Sequence, residues 1–172
     1  MFDAVVLAGG SSRRMGSDKP ALYVGELTLL DRVLTACAAA QRTVVVGPSR
    51  DVSRDVVWTR EEPPGGGPVP ALRAGLELVE QDVVVVLAAD LPFLSPSVVD
   101  DLVARTPAVV VGDDRPQWLC GAWPTAALRT ALQTDEARLG TVLRALSPAL
   151  VAAVGWEDCD TPEDLARARE RT

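Results

Sequence analysis

Apolar positions along this chain fall into two alternating patterns. Ala4–Ala8, Thr43–Val46, Val56–Trp58, Val83–Ala89, Ala108–Val111, Trp118–Trp123 and Leu150–Val154 form short, nearly unbroken apolar runs. Such runs predict buried strands, and those without polar alternation predict strands covered on both faces. The longest, Val83–Ala89, is expected at the centre of a sheet. Between the runs the spacing changes. Leu29, Leu30, Val33, Leu34 and Cys37 recur at helical intervals, as do Val69, Leu72, Leu76 and Val79. Ser95-Pro96 has the form of an N-cap followed by proline at the first helical position. Further helical stretches lie near 124–133 and 139–147. Thr161-Pro162-Glu163-Asp164 opens a last helix, with Asp164 placed for a weak capping box. Glu61–Pro68, with two prolines followed by three glycines and a third proline, is expected to be a loop. The alternation predicts an α/β fold, a mostly parallel central sheet with helices on both faces. Neither a repeat nor a long linker divides the chain, so residues 1–172 are expected to form a single domain.

In such sheets ligands bind beyond the carboxyl ends of the strands. Four unusual segments fall there. The first is Leu7-Ala8-Gly9-Gly10-Ser11-Ser12-Arg13-Arg14-Met15-Gly16-Ser17-Asp18-Lys19. Its glycines allow a ligand close to the backbone, its amides can form an anion nest, and Ser11, Arg13, Arg14 and Lys19 supply donors and positive charge for phosphates. It lacks the Gly-Lys-Ser/Thr ending of a P-loop and the G-x-G-x-x-G spacing of a dinucleotide fingerprint. The second is Asp90, directly after the strongest strand, either a magnesium ligand or a turn cap. The third joins Glu61 to Gly65, Gly66, Gly67 and Pro68, a backbone able to approach a nucleoside or a plain surface loop. The fourth is Asp158-Cys159-Asp160, where Asp160 either contacts a metal or orders the turn before Thr161.

Composition narrows the chemistry. The chain of 172 residues has a formal net charge of −7, which opposes a nucleic-acid footprint. No apolar run is long enough for a membrane span, and Met1 leads directly into a strand pattern, so a cytoplasmic protein is expected. Histidine is absent, which removes imidazole-based zinc sites and histidine-activated nucleophiles. Phosphoryl and nucleotidyl transfer do not need imidazole. Cys37, Cys120 and Cys159 match no metal spacing and read as buried thiols. Lys19 is the only lysine among seventeen basic residues, which suggests a position that needs a compact point charge. Trp118 and Trp123 are five residues apart, so on a regular strand they face opposite sides, leaving one free to meet a partner or cover an acceptor.

The first loop strongly resembles that of the nucleotidyltransferases related to the molybdenum cofactor guanylyltransferases. Gly65-Gly66-Gly67-Pro68, Asp90-Leu91-Pro92-Phe93-Leu94, Arg115-Pro116-Gln117-Trp118-Leu119 and Asp160-Thr161-Pro162-Glu163-Asp164-Leu165 follow in that family's order. The resemblance implies a three-layer Rossmann-like nucleotidyltransferase fold. It also implies transfer of GMP from GTP to the phosphate of molybdopterin, with magnesium as cofactor and pyrophosphate released. Carried over by position, Leu7, Ala8, Gly9, Gly10, Ser11, Gly47, Glu61, Gly66 and Gly67 would line the nucleotide site. Lys19, Arg13 and Asp90 would be catalytic, and Asp90 and Asp160 would hold the metal. Molybdoenzymes or cofactor-insertion proteins would be partners, with no nucleic acid and no membrane involved. Gly47 departs from the asparagine common in the family, as do Asp158 and Asp160. The alternatives are the same chemistry with CTP or another phosphorylated acceptor, or a non-catalytic nucleotide-binding protein.

Overall fold

A computed structural model describes residues 1–9 and 18–172. In chain order the strands are β1 (Asp3–Leu7), β2 (Tyr23–Val24), β3 (Leu27–Thr28), β4 (Thr43–Val46), β5 (Val57–Thr59), β6 (Val83–Ala88), β7 (Ala108–Gly112), β8 (Arg115–Pro124) and β9 (Ala149–Ala152). The helices are α1 (Leu29–Ala36), α2 (Pro68–Leu76), α3 (Pro96–Ala104), α4 (Thr125–Ala131), α5 (Leu139–Arg144) and α6 (Pro162–Glu170). Among the described residues, seven strands form one sheet in the order β5-β4-β1-β6-β8-β7-β9. Neighbours pair in parallel except where β8 runs against β6 and β7. The strand of continuous valines, β6, is the middle of the seven, as its pattern predicted. Val84, Val85, Val86 and Leu87 are fully buried. Each such side chain is worth roughly 1.5–3 kcal/mol relative to exposure.

Two apolar clusters cover the sheet. One joins α1 and α3 to alternate residues of β1, β4, β6 and β7; the other joins α2, α4 and α5 to the intervening residues. This is the expected arrangement of helices on both faces. A smaller cluster of Val24, Leu29, Cys159, Leu165 and Ala168 docks α6 beside the β2–β3 hairpin. The capping box at α6 is complete: the Thr161 side chain accepts from Asp164 N at 3.1 Å, and Asp164 Oδ2 accepts from Thr161 N at 2.8 Å. Ser95 is the N-cap of α3, but its hydroxyl meets Ser97 Oγ at 2.9 Å rather than a backbone amide.

Three details depart from the sequence reading. The β2–β3 hairpin has strands of two residues each, too short to show a period. Pro68 is the first residue of α2 rather than the end of the loop, because proline suits the first helical turn. Trp118 and Trp123 both pack on the α2–α4–α5 side, not on opposite sides. The β7–β8 ladder changes register between the Val109–Gly121 and Val111–Pro116 pairs, and this irregularity breaks the alternation along β8. Trp123 is fully buried, while Trp118 is half-buried.

Candidate active site

The carboxyl ends of β1, β4, β5 and β6 point the same way, and the predicted residues gather there. The first loop leaves β1 wedged between its two neighbours. Ala8 N donates to Val46 O at 2.8 Å, and Ala89 N donates to Leu7 O at 3.1 Å. Leu7 and Ala8 are buried, while Gly9 emerges into solvent. Gly10, Ser11 and Arg13, assigned to the site from sequence, lie with their neighbours 12 and 14–17 outside the described residues.

Beyond them, Lys19 opens a short 3-10 turn, Lys19–Ala21. The Lys19 ammonium donates to Asp90 Oδ2 at 2.5 Å and to Asp160 Oδ1 at 2.7 Å. Three segments far apart in sequence therefore meet at one charge. Lys19 and Asp90 are mostly enclosed, with side chains 12% and 20% exposed, whereas Asp160 is 54% exposed. Burial pulls the Lys19 pKa down, but the Asp90 charge and the hydrogen bonds to both carboxylates more than offset it and hold the pKa above 10.5. Asp90 Oδ1 is buried and has no partner among the described residues. A buried carboxyl oxygen in that state calls for a cation or a donor.

Asp158-Cys159-Asp160 is held in place by its middle residue. The Cys159 side chain is buried in the small α6 cluster, and its amide donates to Asp90 O at 3.1 Å. Burial pushes that thiol up to about 11, so it is an anchor rather than a nucleophile. The flanking carboxylates consequently face outward, Asp160 to Lys19 and Asp158 to the rim of a cavity. Desolvation and the like charges of Asp160 and Asp90 raise the Asp158 pKa, with Lys19 opposing. Among the described residues no three His, Cys, Asp or Glu side chains converge as a metal cage.

On the β4 side, Gly47 touches the first loop. It has φ +149°, and a Cβ there would stand 2.8 Å from Ala8 O and Gly9 N. Glu61 is buried; its Oε1 accepts from Gly65 N at 2.9 Å, and its Oε2 has no partner among the described residues. Gly66 lies over Pro70, and Gly67 is the N-cap of α2 with φ +94°. On the β8 side, a cavity of about 410 Å³ is bordered by Asp90, Gln117, Trp118, Trp156, Asp158 and Asp160. A larger open groove of about 590 Å³ lies at the amino ends of β4 and β5, and none of the predicted residues lines it.

One connection had no sequence signal. Arg50, after β4, clamps Asp18 from two nitrogens, Nε to Oδ2 at 2.7 Å and Nη2 to Oδ1 at 2.6 Å. Its Nη1 also donates to Pro48 O at 2.9 Å. The pair lowers the Asp18 pKa and fixes the residue that precedes Lys19. The β4–β5 connection is fixed in turn by Asp31 on α1, whose Oδ1 accepts from Ser53 N and Ser53 Oγ at 2.8 Å each. Nothing in the sequence singles Arg50 out among sixteen arginines.

Comparison with known proteins bears on the fold and the family. The chain is 32% identical over 97% of its length to a probable molybdenum cofactor guanylyltransferase of Natronomonas pharaonis, covering 96% of that protein. It is 31% identical over 97% of its length to a molybdenum cofactor guanylyltransferase of Rhodobacter capsulatus, covering 94% of it. Among solved structures, molybdopterin-guanine dinucleotide biosynthesis protein A of Archaeoglobus fulgidus superposes with a TM-score of 0.75 at 21% identity. That match covers 98% of this chain and 97% of the other, and it speaks for the fold. No helix among the described residues is long and apolar enough to cross a membrane. Residues 4–152 match the model of the MobA-like NTP transferase domain, and the chain belongs to that family of nucleotidyltransferases.

Proposed function

We propose that residues 1–172 form one cytoplasmic nucleotidyltransferase domain that transfers GMP from GTP to the phosphate of molybdopterin and releases pyrophosphate. The observation that carries this reading is the Lys19 ammonium bound by Asp90 and Asp160 at the carboxyl edge of the sheet, with one Asp90 oxygen unpartnered. The acceptor's phosphate oxygen is already an anion, so attack on the α-phosphorus needs no general base, in keeping with a chain without histidine. The new P–O bond forms as the bond to the leaving pyrophosphate breaks. Lys19 stabilises the negative charge on the equatorial oxygens, and Arg13 in the first loop joins it.

Among the described residues Asp90, Asp158 and Asp160 outnumber Lys19, so phosphates beside these carboxylates need further positive charge. The buried, unpartnered Asp90 Oδ1 fits a divalent cation, and magnesium needs only one or two carboxylates beside substrate phosphates. Asp90, with Asp160 as a second contact, would hold it; when bound it supplies charge that offsets the phosphates. Leu7, Ala8, Gly9, Gly10 and Ser11 cradle the nucleotide, with Gly47, Gly66 and Gly67 giving close backbone approach. Glu61 faces the base. A carboxylate oriented by the Gly65 amide suits the adjacent N1–H and 2-amino donors of guanine better than the single amino group of cytosine.

The test is pyrophosphate release from GTP or CTP, each with and without molybdopterin and magnesium, in wild-type protein and Asp90→Asn. GTP, molybdopterin and magnesium together should be required, and Asp90→Asn should lose turnover while keeping its fold. Faster release with CTP would overturn the guanylyl assignment. GTP binding without turnover on molybdopterin would overturn the transferase assignment for this acceptor.

A further inference from the structure

We infer that the cavity beside β8 seats the acceptor's pterin ring between the indoles of Trp118 and Trp156, an inference that rests on molybdopterin being the acceptor. Both rings border this cavity, and each is fixed by a glycine. Trp118 lies so close to Gly140 of α5 that a Cβ there would come 2.6 Å from its Nε1. Trp156 lies against Gly112, where a Cβ would come 2.2 Å from its Cε2. The two indoles belong to opposite faces of the sheet. Trp118 packs with the α2–α4–α5 cluster and Trp156 with the α1–α3 cluster. They therefore approach the cavity from two sides at the sheet's carboxyl edge. Rings held in this way present aromatic surface at little entropic cost.

The polar border fits the same ligand. Gln117 is fixed by donating its amide to the carbonyls of Gly112 and Arg115, both at 3.2 Å. Asp158 stands at the rim with its side chain directed away from the buried Cys159. A 2-amino-4-oxopteridine offers ring N–H and amino donors to a carboxylate on its edge and a flat face to an indole. Position separates this subsite from that of the base. Gly47 follows β4 and Glu61 follows β5, on one flank of Lys19, whereas the indoles lie on the β8 flank. Asp90 borders the same cavity, so a phosphate carried by the ring's substituent has a direct route to Lys19.

The experiment measures GMP transfer to molybdopterin and GTP affinity in wild-type protein, Trp118→Ala, Trp156→Ala, Trp118→Phe and Trp156→Phe. Base–aromatic stacking implies that each alanine variant raises the KM for molybdopterin by roughly 5–150-fold. GTP affinity should stay within about twofold, and the phenylalanine variants should recover most of the loss. Wild-type KM for molybdopterin in both alanine variants would overturn the subsite, as would an equal loss of GTP affinity. Should an alanine variant unfold, a leucine variant at that position decides, because leucine keeps apolar bulk but has no flat face: it should raise the KM for molybdopterin as alanine does, and a wild-type KM there would overturn the subsite. A wild-type protein inactive on molybdopterin points instead to failure of the functional reading. The ring site is then judged by titration with 6-hydroxymethylpterin, and equal affinity in wild-type and both alanine variants overturns it.

Discussion

Replacing Lys19 with methionine keeps the length of the side chain and removes its charge. Two contacts are lost, and they are not equal. The Asp160 contact is on the exposed side and is screened, so it is worth at most ~1 kcal/mol. The Asp90 contact is mostly enclosed, and a charge-assisted hydrogen bond of this kind contributes about 1.5–3 kcal/mol. Relief from desolvating the ammonium offsets part of that. The variant also leaves both Asp90 oxygens without a partner among the described residues. The net loss is about 1–3 kcal/mol, and for a chain of this size the melting temperature should fall by roughly 2–12 °C. Turnover should suffer more than stability. Removing one donor aimed at transition-state charge costs about 10²–10³ in kcat. Calorimetry on the nucleotide-free protein and single-turnover pyrophosphate release measure the two effects separately. A Lys19→Met protein that melts within about 1 °C of wild type and keeps kcat within about threefold would refute the role given to this charge. A raised KM with unchanged kcat would show that Lys19 binds ground state and transition state alike.

Three further outcomes follow from the neighbours of that charge. Gly47→Asn forces a Cβ to 2.8 Å from the backbone of Ala8 and Gly9 at a φ of +149°, so it should cost about 1–3 kcal/mol and weaken nucleotide binding; a melting curve and GTP titration identical to wild type would contradict this. Arg50→Ala and Asp18→Asn should each loosen Lys19 and lower kcat by about tenfold, equivalent to roughly 1.4 kcal/mol, with partial recovery in the charge-swapped Arg50→Asp/Asp18→Arg protein. A double variant no better than the singles would count against the clamp. Asp31→Asn should destabilise by about 1–3 kcal/mol at neutral pH, because Ser53 N, Ser53 Oγ and Thr28 Oγ1 all donate to this carboxylate. Desolvation works to raise the Asp31 pKa, but the bonds from Ser53 and Thr28 outweigh it and the net shift is downward from 3.8. Its stabilisation is therefore full above 3.8 and is lost as pH falls through the depressed folded value. The difference between wild type and Asp31→Asn should close on acidification, and a gap independent of pH would contradict an ionised acceptor.

Most of the architecture is legible along the chain because strands and helices are written in local periods. The valines of β6 needed no partner to identify a strand with two covered faces, and that placed Asp90 at a carboxyl end. Thr161-Pro162-Glu163-Asp164 specified a helix start whose reciprocal bonds are present. The Trp118–Trp123 spacing misled because alternation holds only while the ladder keeps register, and β8 loses it beside Val110. Arg50 had no local mark, since its partner is 32 residues away.

The loop that carries Lys19 and the strand that leads to Asp90 were determined by the sequence, as residue types in order. That one ammonium lies against both Asp90 and Asp160, across separations of 71 and 141 residues, was decided only by the tertiary structure. The β6 core fixes the first carboxylate, and the buried Cys159 turns the second outward. Apolar packing, which is blind to charge, brings the charges together. A one-dimensional pattern records which residues are buried but not which buried segments become neighbours.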